Sequence, residues 1–545
     1  MRLKGRGVVF ASLCATGVLG IAIALRSLPT MAQGQAQQDG ILKEVVAEGN
    51  HDESPPLKTI PPALPVPGPV IALPLLQRPQ MVSTTPQSSA GNVEQVGTTT
   101  GAPLAVSTLL NFDGVLSDGY IPPDTNGAPG NTQYVQVVND SIAVYNKSNG
   151  ALLYGPVLLN TLWSGFGGAC QNDTFTDPTV RYDQIANVWV VAAVTITSSP
   201  YSYCLAVSTS SDATGSYYRY AFSFNYFPDY QKLGIWVPAS GSTIPDYFIS
   251  LNMWTPDKLT YYGPKVCALN RQTVLGGGTA SLICYQQTNK SYFALLPSDL
   301  DGQTPAPAGS PDYLVGLASN GNGLDYFKFY DYGGGSTSFA YCCTLPDPFP
   351  QPEACAGNGT CIPQPGTSQE LDGLGDRLMY RQAYRNYGSY EAAVIVHSVR
   401  GSGSETAVRW YEMHRTPSRG WFFYQDANFD PDTDNWRWMG SAALDKVEDI
   451  ALGFSLSSRA LNYPSVFIAG RTPTDPTNTM EHEIPIVHGS GYQTGTYANR
   501  WGDYSSMAID PTDDCTFWYT NEYLTVPGSL SWRTRIASFK FPNCQ

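Results

Sequence analysis

One phrase returns along this chain. Val180-Arg181-Tyr182-Asp183, a short turn and Val188-Trp189-Val190-Val191 state it once, and Ser506-Met507-Ala508-Ile509-Asp510, a turn and Thr516-Phe517-Trp518-Tyr519 state it again. Ser441-Ala442-Ala443-Leu444-Asp445 followed by Ile450-Ala451-Leu452-Gly453-Phe454 is a weaker third copy. Each reads strand, Asp, turn, strand. A small unit that recurs at wide spacing cannot bury its apolar face alone and must stack on its copies, which makes a β-propeller the first fold to test. A second hairpin type also recurs. Ile142 to Lys147 turns into Ala151-Leu152-Leu153, and Val266 to Arg271 turns into Val274-Leu275, with Asn and a cation at the turn. Elsewhere short apolar or aromatic runs alternate with Gly, Asn, Asp and Pro, and no long stretch shows helical periodicity. The runs group into about seven units, 119–160, 175–225, 232–278, 280–330, 370–415, 436–472 and 500–541. The expectation is an all-β, seven-bladed propeller over 105–545. Six or eight blades also fit, because the third and fourth units are poorly delimited. The Gly/Pro/Cys-rich stretch 331–369 reads as a stapled loop over one face.

The chain has 52 Gly, 42 Pro and 34 Tyr among 545 residues and only 14% charged residues, a profile of exported β proteins rather than helical ones. Arg2, Lys4 and Arg6 precede an apolar run from Val8 to Leu25, and Thr30-Met31-Ala32 offers a cleavage point, so 1–32 reads as a secretory signal. An uncleaved N-terminal anchor is the alternative. Residues 33–104, rich first in Pro and then in Ser, Thr and Gln, read as a disordered linker holding the folded part away from a wall or membrane, or as a disordered pro-segment. Removing the leader's four basic residues from the chain's 31 leaves 27 against 45 acids, a net −18. Such a surface excludes nucleic acid and anionic membrane as partners. Of eleven cysteines, all but Cys14 fall after the leader. The remaining ten suffice for five disulfides in an oxidising compartment. Proximity within hairpins points to Cys170–Cys204, Cys267–Cys284 and Cys515–Cys544, with Cys342, Cys343, Cys355 and Cys361 pairing among themselves.

From about 105 to the end the chain resembles a family of large secreted bacterial proteins, mostly uncharacterised, with a propeller-like β fold. The residues that carry this are Pro122-Pro123-Asp124-Thr125-Asn126-Gly127, Asp177 to Asp183, Asp229-Tyr230-Gln231-Lys232-Leu233-Gly234-Ile235-Trp236, Gly375 to Arg381, and Arg500-Trp501-Gly502-Asp503-Tyr504. The resemblance implies fold and export and brings no established reaction. A fainter likeness is to sialidase-type propellers, whose blades carry an Asp in a hairpin turn before an aromatic strand. Asp513-Asp514-Cys515-Thr516-Phe517-Trp518 echoes that turn without reproducing its Ser-x-Asp-x-Gly-x-Thr-Trp form.

The chain has no Gly-x-Ser-x-Gly elbow, no phosphate-binding Gly loop and no His-Glu-x-x-His, which lowers the case for a serine hydrolase or zinc protease. Carboxylate chemistry remains. Asp376-Arg377, Arg381, Arg385, Arg409, Arg500 and Asp503 begin or flank strand-like runs in different units, and in a propeller such residues converge on a central channel. Arg forks there bind a carboxylate or sulfate bidentately. A carboxylate pair, Asp177 or Asp124 with Asp503, suits acid/base work on a glycosidic bond. Tyr504, Tyr519 and Glu522 are candidate nucleophiles. The catalytic candidates are therefore Asp177, Asp503, Arg377, Arg409, Arg500 and Tyr504, with mutual pairing and turn-capping as the competing role. His397, inside an apolar strand, reads as a core histidine. Asp430, Asp432 and Asp434 alternate in an acidic turn and are candidate Ca²⁺ ligands, although Ser441 stands where an EF loop has its Glu. Tyr217-Tyr218 with Tyr220, Tyr261-Tyr262 and Trp421 to Tyr424 are candidate sugar-stacking or partner-binding aromatics, or plain strand residues. Together these features point to a secreted propeller, free or tethered at the cell surface, that acts on or binds extracellular polysaccharide or surface glycan as a hydrolase or lyase. The alternative is a non-catalytic adhesion or protein-binding scaffold.

Overall fold

The computed structural model describes residues 40–545 apart from 66–69, 74, 80–93, 96–104, 319–321, 348–351, 358 and 498. The expected signal at 1–32 lies outside the described residues. Among the described residues strands dominate, and the two α-helices, Gly168–Asn172 and Arg271–Leu275, have five residues each. Among the described residues no helix is long and apolar enough to cross a membrane.

Antiparallel meanders follow one another over 126–158, 175–224, 227–287, 312–345, 382–429, 435–489 and 506–540. The innermost strands are Asn126–Pro129, Phe175–Asp183, Phe227–Trp236, Ser298–Asp301, Gln382–Asn386, Asn435–Leu444 and Ser506–Ile509. Each touches the next in this order, and the last touches the first, so they ring one axis. The chain is a β-propeller. Closure comes from the N-terminal side, where Ser107–Leu116 pairs antiparallel with Trp532–Lys540 (Phe112 opposite Ile536, Asn111 opposite Ala537) and completes the last sheet. The repeated phrase is the hairpin between the first two strands of a sheet, with Asp183 opposite Val188 and Leu444 opposite Ile450. Its Asp tethers the turn. Asp183 accepts from Arg271 (2.6 and 2.9 Å), from the Tyr247 hydroxyl (2.8 Å) and from the Ala186 amide (3.0 Å). Asp510 accepts from Trp518 Nε1 at 3.0 Å and from Lys147 at 2.8 Å. Trp518 packs across to Tyr134 of the neighbouring sheet, and Trp189 packs on Tyr182, its cross-strand partner.

The structure corrects the sequence reading at several points. Residues 41–53, inside the expected disordered linker, form a 13-residue strand, Ile41–Glu53. Its first half pairs with Ser281–Gln287 and its second half with Tyr217–Phe224, joining two neighbouring meanders into one nine-stranded sheet. The strand is mostly exposed and polar, which hid it. It is held by backbone bonds to two open edges and by side chains such as Asp52, which grips Arg219 at 2.6 and 2.8 Å. Val274 and Leu275 lie in the helix Arg271–Leu275 rather than in a hairpin strand, because Asn270 caps it by accepting from the Thr273 amide at 2.8 Å. The stretch 331–369 is only partly a loop, since Thr337–Leu345 is the third strand of its meander. Four disulfides form, Cys170–Cys204, Cys267–Cys284, Cys355–Cys361 and Cys515–Cys544, and Cys342 and Cys343 are thiols. Most of the candidate aromatics are strand residues, with Tyr217, Tyr220, Tyr261 and Trp421 buried, while Tyr424 is exposed.

The role of the repeated Asp is measurable. Asp183→Ala strands the buried Arg271 guanidinium without its partner and lowers unfolding free energy by about 3–5 kcal/mol, read as a shifted denaturant midpoint. Asp434→Ala, in an exposed turn, changes it by no more than about 0.5 kcal/mol. Equal effects at the two positions contradict this assignment.

Candidate functional site

The innermost strands deliver acids to one end of the ring. Asp124 lies just before Asn126–Pro129, and Asp177 sits in a bulge of Phe175–Asp183 between Thr176 and Thr179. Asp229, Tyr230 and Lys232 occupy the matching bulge of Phe227–Trp236. Arg377 and Asp503 come from the segments leading into Gln382–Asn386 and Ser506–Ile509. Asp124, Asp177 and Tyr230 have φ of 44°, 52° and 51°, a left-handed backbone that costs non-glycine residues energy and clusters at functional sites.

One carboxylate oxygen from each of Asp124, Asp177 and Asp503 lies within 4.8 Å of the other two. A hydrogen-bond web fixes them. The Asp503 amide donates to Asp124 Oδ1 at 2.7 Å, and Asn139 Nδ2 donates to Asp124 Oδ2 at 2.6 Å. The Asp177 amide donates to Asn139 Oδ1 at 3.1 Å, and Asp177 Oδ2 accepts from the Tyr230 amide at 3.3 Å. Asp177 Oδ1 is buried without a hydrogen-bond partner. Arg500 Nη1 reaches Asp503 at 2.8 Å and Asp372 at 3.1 Å. Lys232 Nζ lies 3.6 Å from the Tyr230 ring centre and 4.0 Å from that of Tyr504, a desolvated cation between two aromatic faces. Arg377 stacks 4.8 Å from the Tyr230 ring and is held by Asp376 at 2.8 Å.

Burial governs the protonation of this cluster. It pushes Asp124 well above the usual carboxylate range, with the charges of Asp503 and Asp177 adding to the effect. Asp229 and Glu522 are raised well above it for the same first reason, and Asp177 is raised against the pull of Lys232. Burial lifts Asp372 to about 6 despite Arg500, and drops Lys232 to about 8 despite the surrounding acids. Raised carboxyls thus surround a lysine lowered to about 8.

The cluster is covered. Ile71–Ala72 pairs in parallel with Tyr120–Ile121, the Leu76 carbonyl accepts from Arg377 at 2.9 Å, and the Arg78 amide donates to Asp376 at 3.0 Å. Asp124 is 2% exposed, Asp177 4% and Asp503 7%.

Of the sequence candidates, Asp177, Asp503, Arg377, Arg500 and Tyr504 meet here. Arg409 does not. It lies in Thr406–Thr416, the third strand of its meander, where Asp347, Asn428 and Asp426 satisfy its guanidinium. Arg381 and Arg181 share Asp299, and Arg385 pairs with Asp514 at 2.7 Å. His397 is a core residue, its Nε2 3.0 Å from the Tyr411 hydroxyl, with burial lowering it to about 3. Two of the candidate Ca²⁺ ligands already have protein partners. Asp432 is engaged by Arg437 and by the amides of Asp434 and Asn435 (2.9 and 2.8 Å), and Asp430 Oδ2 accepts from the Ser402 amide at 2.9 Å. Asp229, Asp372 and Lys232 were not singled out. Of these only Asp229 carries a local signal, the Pro228-Asp229 step that matches Pro123-Asp124 and the reversed Asp177-Pro178.

No protein-family model matches the sequence, and no curated protein matches it. Among solved structures the chain is similar to Penicillium chrysogenum alpha-L-arabinanase complexed with arabinobiose (8% identity, 82% of this chain and 100% of that chain, TM-score 0.34). It is also similar to phage phi92 endosialidase (9%, 81% and 70%, TM-score 0.36) and to the WD40 domain of SCAP from fission yeast (8%, 75% and 82%, TM-score 0.30).

The raised carboxyls set a pH dependence. Asp372 holds its proton to about 6 when folded, above its unfolded value of about 4. Its contribution to stability is full below about pH 4 and is lost as pH rises through 6. Asp124, Asp229 and Glu522 are also raised by burial and act with the same sign. The thermal midpoint therefore falls between pH 4 and 7, and the fall is shallower in Asp372→Asn between pH 4 and 6. A rising profile, or an unchanged slope in the variant, contradicts this.

Proposed function

We propose that the protein is an exported, glycan-directed propeller whose meanders are seven blades of one ring and whose acidic cluster at the channel mouth cleaves a glycosidic bond. The observation that carries this is the meeting of Asp124, Asp177 and Asp503 oxygens within 4.8 Å beside Lys232 and Arg500. Inverting hydrolysis needs carboxyls about 6.5–9.5 Å apart to admit a water, whereas retention works at about 5–5.5 Å. The closer spacing favours retention. Asp124, whose hold on its proton is strengthened by burial and by the charges of Asp503 and Asp177, donates that proton to the leaving oxygen. Asp177 Oδ1, with no competing hydrogen bond, attacks the anomeric carbon. Water then hydrolyses the glycosyl ester, with Asp124 taking the water's proton. Asp503 positions Asp124 through its amide, and Arg500 holds Asp503 in place. The net charge of −14 suits neutral or basic polymers better than nucleic acid.

The near-complete burial of these carboxylates favours a second reading, a non-catalytic propeller that binds surface polymer or a protein partner and uses the acids to lock its channel. A panel of extracellular polysaccharides, assayed for both binding and release of reducing ends, separates the two. The catalytic reading expects a product released first with the anomeric configuration of the substrate, and a rate lowered about 10²–10⁴-fold in Asp177→Asn and Asp124→Asn. Binding without product, unchanged in both variants, establishes the scaffold instead.

A further inference from the structure

Thr337–Leu345 is the outer strand of its meander and carries Cys342 and Cys343. Successive side chains of a regular strand point to opposite faces. Here the register slips: Tyr326 opposes Cys343 and Phe327 opposes Tyr341, which leaves Cys342 as the extra residue of a bulge. The bulge turns the two thiols toward each other, with their Sγ atoms 3.0 Å apart. Cys342 is exposed and Cys343 partly so, and these are the free thiols among the described residues, the other eight described cysteines being joined in disulfides. Lys328, on the adjacent strand Leu324–Asp331, hydrogen-bonds the Cys342 sulfur and adds a positive charge beside it. The hydrogen bond from Cys343 holds Cys342 down to about 6, and the same contact pushes Cys343 up. An accessible thiolate next to a thiol that keeps its proton is the division of labour between an attacking and a resolving cysteine.

We propose that Cys342 and Cys343 form a thiol–disulfide exchange site that takes a low-molecular-weight disulfide as substrate and closes to a vicinal disulfide. The Cys342 thiolate attacks one sulfur of the substrate disulfide, forming a mixed disulfide and releasing the first thiolate, which takes up a proton. Cys343 then loses its proton and attacks Cys342 Sγ, forming the Cys342–Cys343 bond and expelling the second thiolate. The protein dithiol is oxidised by two electrons, and the substrate disulfide is reduced to two thiols. The site lies on an outer strand, whereas the acidic cluster is built on the innermost strands, so its chemistry is independent of glycan cleavage.

The test uses the full chain, reduced mildly under native conditions, equilibrated with glutathione buffers of graded oxidised fraction, acid-quenched and alkylated. Mass spectrometry is expected to show the peptide with Cys342 and Cys343 passing between two alkyl groups and none in a single two-electron transition, while the eight disulfide-bonded cysteines stay unlabelled. In Cys343→Ala, the glutathione mixed disulfide at Cys342 persists, and alkylation of Cys342 at pH 6.5 slows about tenfold as its thiolate fraction falls. Two free thiols, or two bound glutathiones, in the most oxidising buffer overturn the proposal. So does a Cys343→Ala variant that alkylates as fast as the parent.

Discussion

The structure depends on closing a ring of sheets with a strand from the far end of the chain. Each meander buries its faces only against its two neighbours, so the first and last must meet or both leave an apolar face in water. Ser107–Leu116 completes the sheet of 506–540 and ties the two ends together by a backbone ladder. Once the ring is closed, the innermost strands have no choice but to bring their first residues to one point. The acidic cluster follows from that convergence. Asp124 and Asp503 are separated by most of the chain, yet the amide of one donates to the carboxylate of the other.

That convergence has an electrostatic cost which the structure meets in two ways. Toward one end of the innermost strands, cations and anions balance: Arg181 and Arg381 share Asp299, and Arg385 is paired with Asp514. Ion pairs this buried hold their geometry because removing either partner leaves an unsolvated charge. At the other end acids outnumber cations. Burial there raises Asp124, Asp229 and Glu522 well above the usual carboxylate range and lowers Lys232 to about 8. Strongly shifted groups of this kind cluster at functional sites and also occur in structural ion-pair networks. The segment around Leu76 and Arg78 lies against the Asp376–Arg377 side of the second network, where the lowered local dielectric strengthens its interactions.

Much of this was legible in the sequence. The strand–Asp–turn–strand phrase is local, its Asp and Trp serve their own and neighbouring hairpins, and its period reports the architecture directly. Local spacing also carried the pairings Cys170–Cys204, Cys267–Cys284 and Cys515–Cys544. What escaped was non-local or compositionally disguised. Ile41–Glu53 looks like linker because its partners are two distant open edges rather than a hairpin neighbour. Arg409 looked equivalent to Arg377 and Arg500, but its place in the third strand of its meander puts it with Asp347 and Asp426. Lys232 was passed over because a lone lysine in a strand carries no signal until two tyrosine rings close on it.

By itself the sequence determined the repeating hairpin, the excess of acid over base and the residue types at the start of each unit. These are properties of short segments and of sums, which need no knowledge of neighbours. Tertiary structure alone decided which acids share a site, which arginines neutralise one another and which two adjacent thiols face the same way. Those outcomes depend on ring closure, on strand position within a sheet and on one slipped register. Each is set by packing between residues far apart in the chain, or by a partner strand that the local sequence does not name.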